Sequence, residues 1–145
     1  MSSPRLAVID SSVTVKWLLP EPGRAEAIRL LDEYEAGTAD LIAPGLLCEE
    51  VASALSKRCR RKEMTAAQAE TMFRFFDLRH PRIVDAPWHL EAALGLSLRH
   101  HLSLWDSLYL ALAIEARADL ITADQRLFRS VAGHYPFVRL LGRGP

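Results

Sequence analysis

Four acidic residues, Asp10, Glu50, Asp106 and Asp124, lie far apart in the chain, each at the end of a strand-like stretch or near the start of a helical one. Carboxylates crowded together repel one another and resist ionisation. A hard divalent cation removes that conflict, since Mg²⁺ and Mn²⁺ prefer oxygen ligands and keep several waters. A cation so held can activate a water and stabilise the leaving oxygen of a phosphodiester, singly or as one of a pair, without a histidine base. Each acid also has a plainer use. Asp10 and Asp124 can cap the helices that follow them, Ser103 and Asp106 can form a reciprocal N-cap pair, and Glu50 can be an edge-of-core residue with a partner. Cap and ligand are compatible, because both place oxygen at a helix N-terminus.

Whether the acids meet depends on the elements that carry them. An apolar run over 6–9 reads as a buried strand closed by Asp10, Ser11 and Ser12. A short helix over 13–19 is stopped by Pro20 and Pro22, and a second over 24–36 is ended by Gly37. Further strands are predicted over 40–43, 82–85 and 120–122, with 137–141 as a fifth. Helices are predicted over 46–62, 65–78 with Thr65 as N-cap, 88–100, 104–118 and 125–132. Strands alternating with helices imply a parallel sheet covered on both faces. In such a sheet Asp10 and Asp124 follow strands at the carboxyl edge, and the helices bearing Glu50 and Asp106 start there. All four acids then share the rim where open α/β sheets place their ligands.

Helical phase separates Glu50 from Glu49. Leu47, Val51, Ala54 and Leu55 mark a buried face. At about 100° per residue, Glu50 sits roughly 60° from Leu47 and Glu49 roughly 160° away, so Glu50 points inward. The 104–118 helix is apolar around nearly its whole circumference and is expected to be buried.

The 145 residues suit one domain spanning 1–145, with 50% apolar and 25% charged residues and a formal net charge of zero. Zero net charge argues against a surface that attracts nucleic acid everywhere, while leaving room for local patches. Cys48 and Cys59 fall in one predicted helix, about 16 Å apart, too far for a disulfide. The apolar run after Met1-Ser2-Ser3-Pro4-Arg5 is too short for a signal peptide or membrane span. A cytoplasmic protein is expected.

Four segments carry a family resemblance: Val8-Ile-Asp10-Ser-Ser-Val13, Ala43-Pro-Gly-Leu-Leu-Cys-Glu-Glu50-Val-Ala-Ser-Ala-Leu55, Leu104-Trp-Asp106-Ser-Leu-Tyr-Leu-Ala-Leu-Ala113 and Leu120-Ile-Thr122-Ala-Asp124-Gln-Arg-Leu127. In this order the chain resembles the PIN-domain ribonucleases, in particular the VapC-type toxins of toxin–antitoxin pairs. The resemblance implies a three-layer α/β/α sandwich with a central parallel sheet of four or five strands. It implies that Asp10, Glu50, Asp106 and Asp124 form the acidic quartet of a Mg²⁺- or Mn²⁺-dependent endoribonuclease, with Asp10 and Asp106 the most direct ligands. It also implies homodimerisation and a cognate antitoxin protein that inhibits the site. Ser12 and Thr122 stand where the family often has a supporting hydroxyl. Asp85, near the same rim, is outside the motif and is assigned a structural role.

Other features have two readings. Lys57-Arg58-Cys59-Arg60-Arg61-Lys62 can contact RNA phosphate, chiefly through Lys57, Arg58 and Arg61, or can be a solvated helix end complementing its dipole. His100-His101 lacks metal-ligand spacing and reads as a loop pair. Trp17, Trp88 and Trp105 read as core or interface anchors. Phe73, Phe75, Phe76 and Leu78 make one helix aromatic enough to serve an interface as well as the core. A non-catalytic RNA- or protein-binding module, with the acids as caps, is the alternative to the enzyme. A phosphoryl-transfer or receiver-type domain fits less well, with one acid after the first strand and no lysine after the last.

Overall fold

The computed structural model describes residues 3–143. Met1, Ser2, Gly144 and Pro145, the ends of the expected 1–145 domain, lie outside the described residues. In chain order the elements are β1 (Arg5–Ile9), α1 (Ser11–Leu18), α2 (Arg24–Glu35), β2 (Ala39–Ala43), α3 (Leu46–Arg60), α4 (Ala66–Asp77), β3 (Arg82–Ile83), α5 (Trp88–His100), α6 (Leu104–Ala116), β4 (Asp119–Thr122), α7 (Gln125–Val131) and β5 (Val138–Leu140). The five strands form one parallel sheet in the order β3-β2-β1-β4-β5. Ala7, Val8 and Ile9 are consecutive and fully buried, as are Leu120 and Thr122 with Ile121 nearly so. Successive strand residues point to opposite faces, so helices must cover both sides of the sheet. The expected α/β/α sandwich is what forms.

The order creates a switch point. The chain winds from β1 outward through β2 to β3, then returns to the other side of β1 to build β4 and β5. Connections on the two sides of β1 therefore diverge, leaving a crevice at the carboxyl ends of β1 and β4. Register makes the crevice specific: Val8 lies opposite Leu120 and Ile9 opposite Ile121, which brings Asp10 level with Thr122.

Several boundaries differ from the sequence expectation. Helix α1 begins at Ser11, so Asp10 itself is the N-cap residue, and Ser11 and Ser12 are helical rather than a closing turn. Strand β3 is only two residues long, which puts Asp85 in the loop beyond it. There the Asp85 carboxylate accepts a hydrogen bond from the Gly45 N–H at 2.9 Å, at the entry to α3. A Cβ at Gly45 would stand 2.7 Å from Asp85 Oδ2, so the loop and the helix start are fitted to each other. Helix α6 is not buried all round: Trp105 and Ile114 are exposed, because α5 covers one flank and solvent meets the other. The helix stops at Arg117, whose φ of 54° is left-handed. Helix α5 keeps its expected bounds, so of the His100-His101 pair only His101 lies beyond the helix, and His100 shares a hydrogen bond with Tyr135 Oη at 2.8 Å.

Other expectations hold. Thr65 caps α4 through a capping box with Gln68. Cys48 and Cys59 are both free and both in α3. Trp17 is a core residue whose indole N–H donates to the Ala27 carbonyl, whereas Trp88 and Trp105 are exposed. Phe76 is buried, Phe73 packs against the core, and Phe75 and Leu78 face solvent, with Arg79 stacked 4.0 Å over the Phe75 ring.

Candidate active site

Asp10 leaves β1 and enters α1 with 4% of its surface exposed, yet neither carboxylate oxygen is used to cap the helix. Both are taken by hydroxyls. Ser12 Oγ donates to Oδ1 at 2.5 Å and Thr122 Oγ1 donates to Oδ2 at 2.5 Å. Each hydroxyl in turn accepts a backbone N–H: Ala123 N–H donates to Ser12 Oγ at 2.8 Å, and Asp124 N–H donates to Thr122 Oγ1 at 3.0 Å. A hydroxyl has one proton. With a backbone donor aimed at its oxygen, that proton is directed to Asp10, so the loop after β4 fixes the orientation of the acid after β1.

Glu50 sits one turn into α3, half-buried, while Glu49 is exposed, as helical phase predicts. Its Oε1 accepts the Tyr109 phenolic hydrogen at 2.5 Å. Asp106 lies in the first turn of α6, half-buried, where its N–H donates to Ser103 Oγ at 3.0 Å. Asp124 is exposed and caps α7: Oδ1 accepts from the N–H groups of Arg126 at 2.9 Å and Leu127 at 3.1 Å.

The acids act on one another. Burial pushes the Asp10 carboxyl up to about 6; its two hydroxyl partners oppose this, and the charges of Asp106 and Glu50 add to it. Glu50 is raised first by burial and then by Asp106, against the Tyr109 hydrogen bond. Asp106 is raised by burial and by Asp124, against Ser103 and Arg126. Asp106 is thus the hub: it couples to Asp10, Glu50 and Asp124. Among the described residues no three His, Cys, Asp or Glu side chains are grouped tightly enough to chelate an ion by themselves. The donor set still suits Mg²⁺, which takes one or two carboxylates directly and fills its remaining positions with water and substrate phosphate. Soft or imidazole-preferring metals find no matching donors among these four acids.

Residues 7–134 match the family described as the PIN domain. This chain belongs to the PIN-domain family. It is 30% identical over 125 residues to ribonuclease VapC3 of Pyrobaculum aerophilum, covering 83% of this chain and 90% of that protein. The crystal structure of PAE2754 from the same organism superposes with a TM-score of 0.70 at 18% identity, covering 96% of this chain and 92% of the other. A toxin–antitoxin complex from Klebsiella pneumoniae contains a chain matching at TM-score 0.60 and 22% identity, over 92% of this chain and 95% of that one. At such identities the two structures show a shared fold. The PIN sheet explains why the four motif segments can be far apart in sequence: each ends or begins at the same rim.

The suggested RNA-contact residues lie elsewhere. Lys57 and Arg61 are exposed near the far end of α3, about 10–16 Å along the helix from Glu50. Arg58 is committed to carboxylates, with Glu21 at 2.9 Å and Glu63 at 3.1 Å. Tyr109 is the site residue that sequence reasoning missed. Its place on an apolar helix marked it as core, but it stands three residues after Asp106 and so on the same helix face.

Proposed function

We propose that this PIN-domain chain is a Mg²⁺- or Mn²⁺-dependent endoribonuclease acting as the toxin of a toxin–antitoxin pair in the cytoplasm. The carrying observation is the coupled set Asp10, Glu50 and Asp106 at the carboxyl rim, with Asp10 held by Ser12 and Thr122. The relative named as a ribonuclease and the shared fold of a toxin–antitoxin complex support the activity and the partner.

Asp10 and Asp106 would hold the cation, with Glu50 and Asp124 completing the acidic set. When bound, the cation supplies Lewis-acid stabilisation of charge on the scissile phosphate and the leaving oxygen. Ser12 and Thr122 keep both Asp10 oxygens presented as acceptors, so the ligand geometry is set before substrate arrives. Glu50, which is not one of the two direct ligands and is raised by burial, can take the proton released by the attacking water. Asp124 anchors α7 and places Thr122 through its own N–H.

No helix among the described residues is long and apolar enough to cross a membrane. Leu90, Leu94 and Leu98 form an exposed stripe at i, i+4 and i+8 on α5, which supports homodimerisation through that helix. The purified chain should cleave RNA with Mg²⁺ or Mn²⁺ and stop in excess EDTA. Cleavage that persists in EDTA would refute the metal mechanism. RNA binding with no cleavage under any divalent cation would favour the non-catalytic module.

A further inference from the structure

We infer that Tyr109 is a positioning residue for the acidic site: its phenol fixes the Glu50 carboxylate that faces the cation. The inference rests on the metal-dependent reading above. Tyr109 is 1% exposed, and its single phenolic proton goes to Glu50 Oε1 at 2.5 Å. The bond spans two elements, since Glu50 belongs to α3 and Tyr109 to α6, separated by 59 positions in the chain. Asp106 is one turn earlier on α6. One helix therefore carries both an acid of the site and the donor that orients a second acid.

A buried tyrosine needs a hydrogen-bond partner, and any carbonyl would satisfy it. This one donates to a carboxylate that senses Asp106, and its surroundings include Asp10 and Asp106 as well as Glu50. The arrangement parallels the cradle of Asp10. There, hydroxyls from α1 and β4 hold one acid by both oxygens. Here a phenol holds the other by one oxygen. Removing the phenol would free Glu50 to swing toward solvent, away from two like charges. An outer donor of this kind typically contributes 10- to 100-fold to metal affinity.

The test is a double-mutant cycle read by calorimetric titration of Mn²⁺ into the full-length chain, with thermal unfolding in parallel. Tyr109→Phe, which deletes one oxygen from a packed ring, should weaken Mn²⁺ binding about 10-fold. In a Glu50→Ala background the same substitution should leave Mn²⁺ affinity unchanged, because its effect passes through Glu50. Unaltered Mn²⁺ affinity in Tyr109→Phe, or equal weakening in both backgrounds, would overturn the inference while leaving the metal reading intact. Absence of Mn²⁺ binding by the wild-type chain would overturn the metal reading and this inference with it. A second measurement needs no variant. The Tyr109 ¹³Cζ resonance of the wild-type chain should shift as Mg²⁺ draws charge from Glu50, and a resonance unmoved at saturating Mg²⁺ would refute the role.

Discussion

Asp10 and Asp124 occupy similar places, one directly after β1 and the other separated from the end of β4 only by Ala123, each at the N-cap of a helix, but they use their oxygens in opposite ways. Asp124 is exposed and gives Oδ1 to two backbone N–H groups of α7. Asp10 is buried, gives nothing to α1, and has both oxygens held by hydroxyls. The same local grammar of strand, acid and helix thus yields a helix anchor in one case and a carboxylate held by both oxygens in the other. Burial decides. An exposed carboxylate gains from the helix dipole at little cost. A buried one must be paired, and here two hydroxyls pair it.

The contrast can be broken most severely at Asp10. Asp10→Asn should lower RNA cleavage by about 10²- to 10³-fold, the scale of losing a main electrostatic group, while circular dichroism stays native. Asp124→Asn, which keeps a capping oxygen, should lower cleavage only about 10- to 100-fold. Equal losses at the two positions would erase the distinction. Next come the hydroxyls. Thr122→Val should cost about 10- to 100-fold in cleavage, because it frees Oδ2 and releases the Asp124 N–H, and a steady-state assay at fixed Mg²⁺ reads it directly.

Stability sharpens the comparison on a finer scale. Burial holds the Asp10 carboxyl at about 6 in the fold. The unfolded chain has it near 3.9. The folded state therefore binds the proton more tightly. The contribution of Asp10 to the stability of the metal-free chain is fully present below about 3.9 and is lost as pH rises through 6, on the order of 3 kcal/mol. Chemical denaturation of the metal-free chain across this range should show that slope, and Asp10→Asn should show a shallower one, with the remainder carried by Glu50 and Asp106, which burial also raises. Asp124→Ala should produce the smallest effect, a loss of about 1 kcal/mol from the missing cap, read by chemical denaturation.

Most of the scaffold was legible because buried parallel strands are short apolar runs, and Leu6 to Ile9 and Leu120 to Thr122 stand out as such. The inward turn of Glu50 was legible for a related reason: Leu47, Val51 and Leu55 set the helix phase. The two-residue β3 was not, since Val84 and Asp85 continue its apolar and polar pattern after its pairing with β2 has ended. The exposure of Trp105 and Ile114 was hidden as well, because composition reports how apolar a helix is and not which neighbours reach it. Tyr109 escaped notice because its partner lies 59 positions away, a distance only the folded chain closes. The four acids could be placed on one rim from topology, but the division between a cradled Asp10 and a capping Asp124 required the side-chain contacts.

Occupancy of the carboxyl rim beside Asp10 by a divalent cation underlies the proposed chemistry. Crystals of the chain soaked in Mn²⁺ and measured near the manganese absorption edge test this most directly. An anomalous peak contacted by Asp10 or Asp106 is expected, and it should vanish in Asp10→Asn. No peak at that rim in crystals of a chain that cleaves RNA would contradict that occupancy.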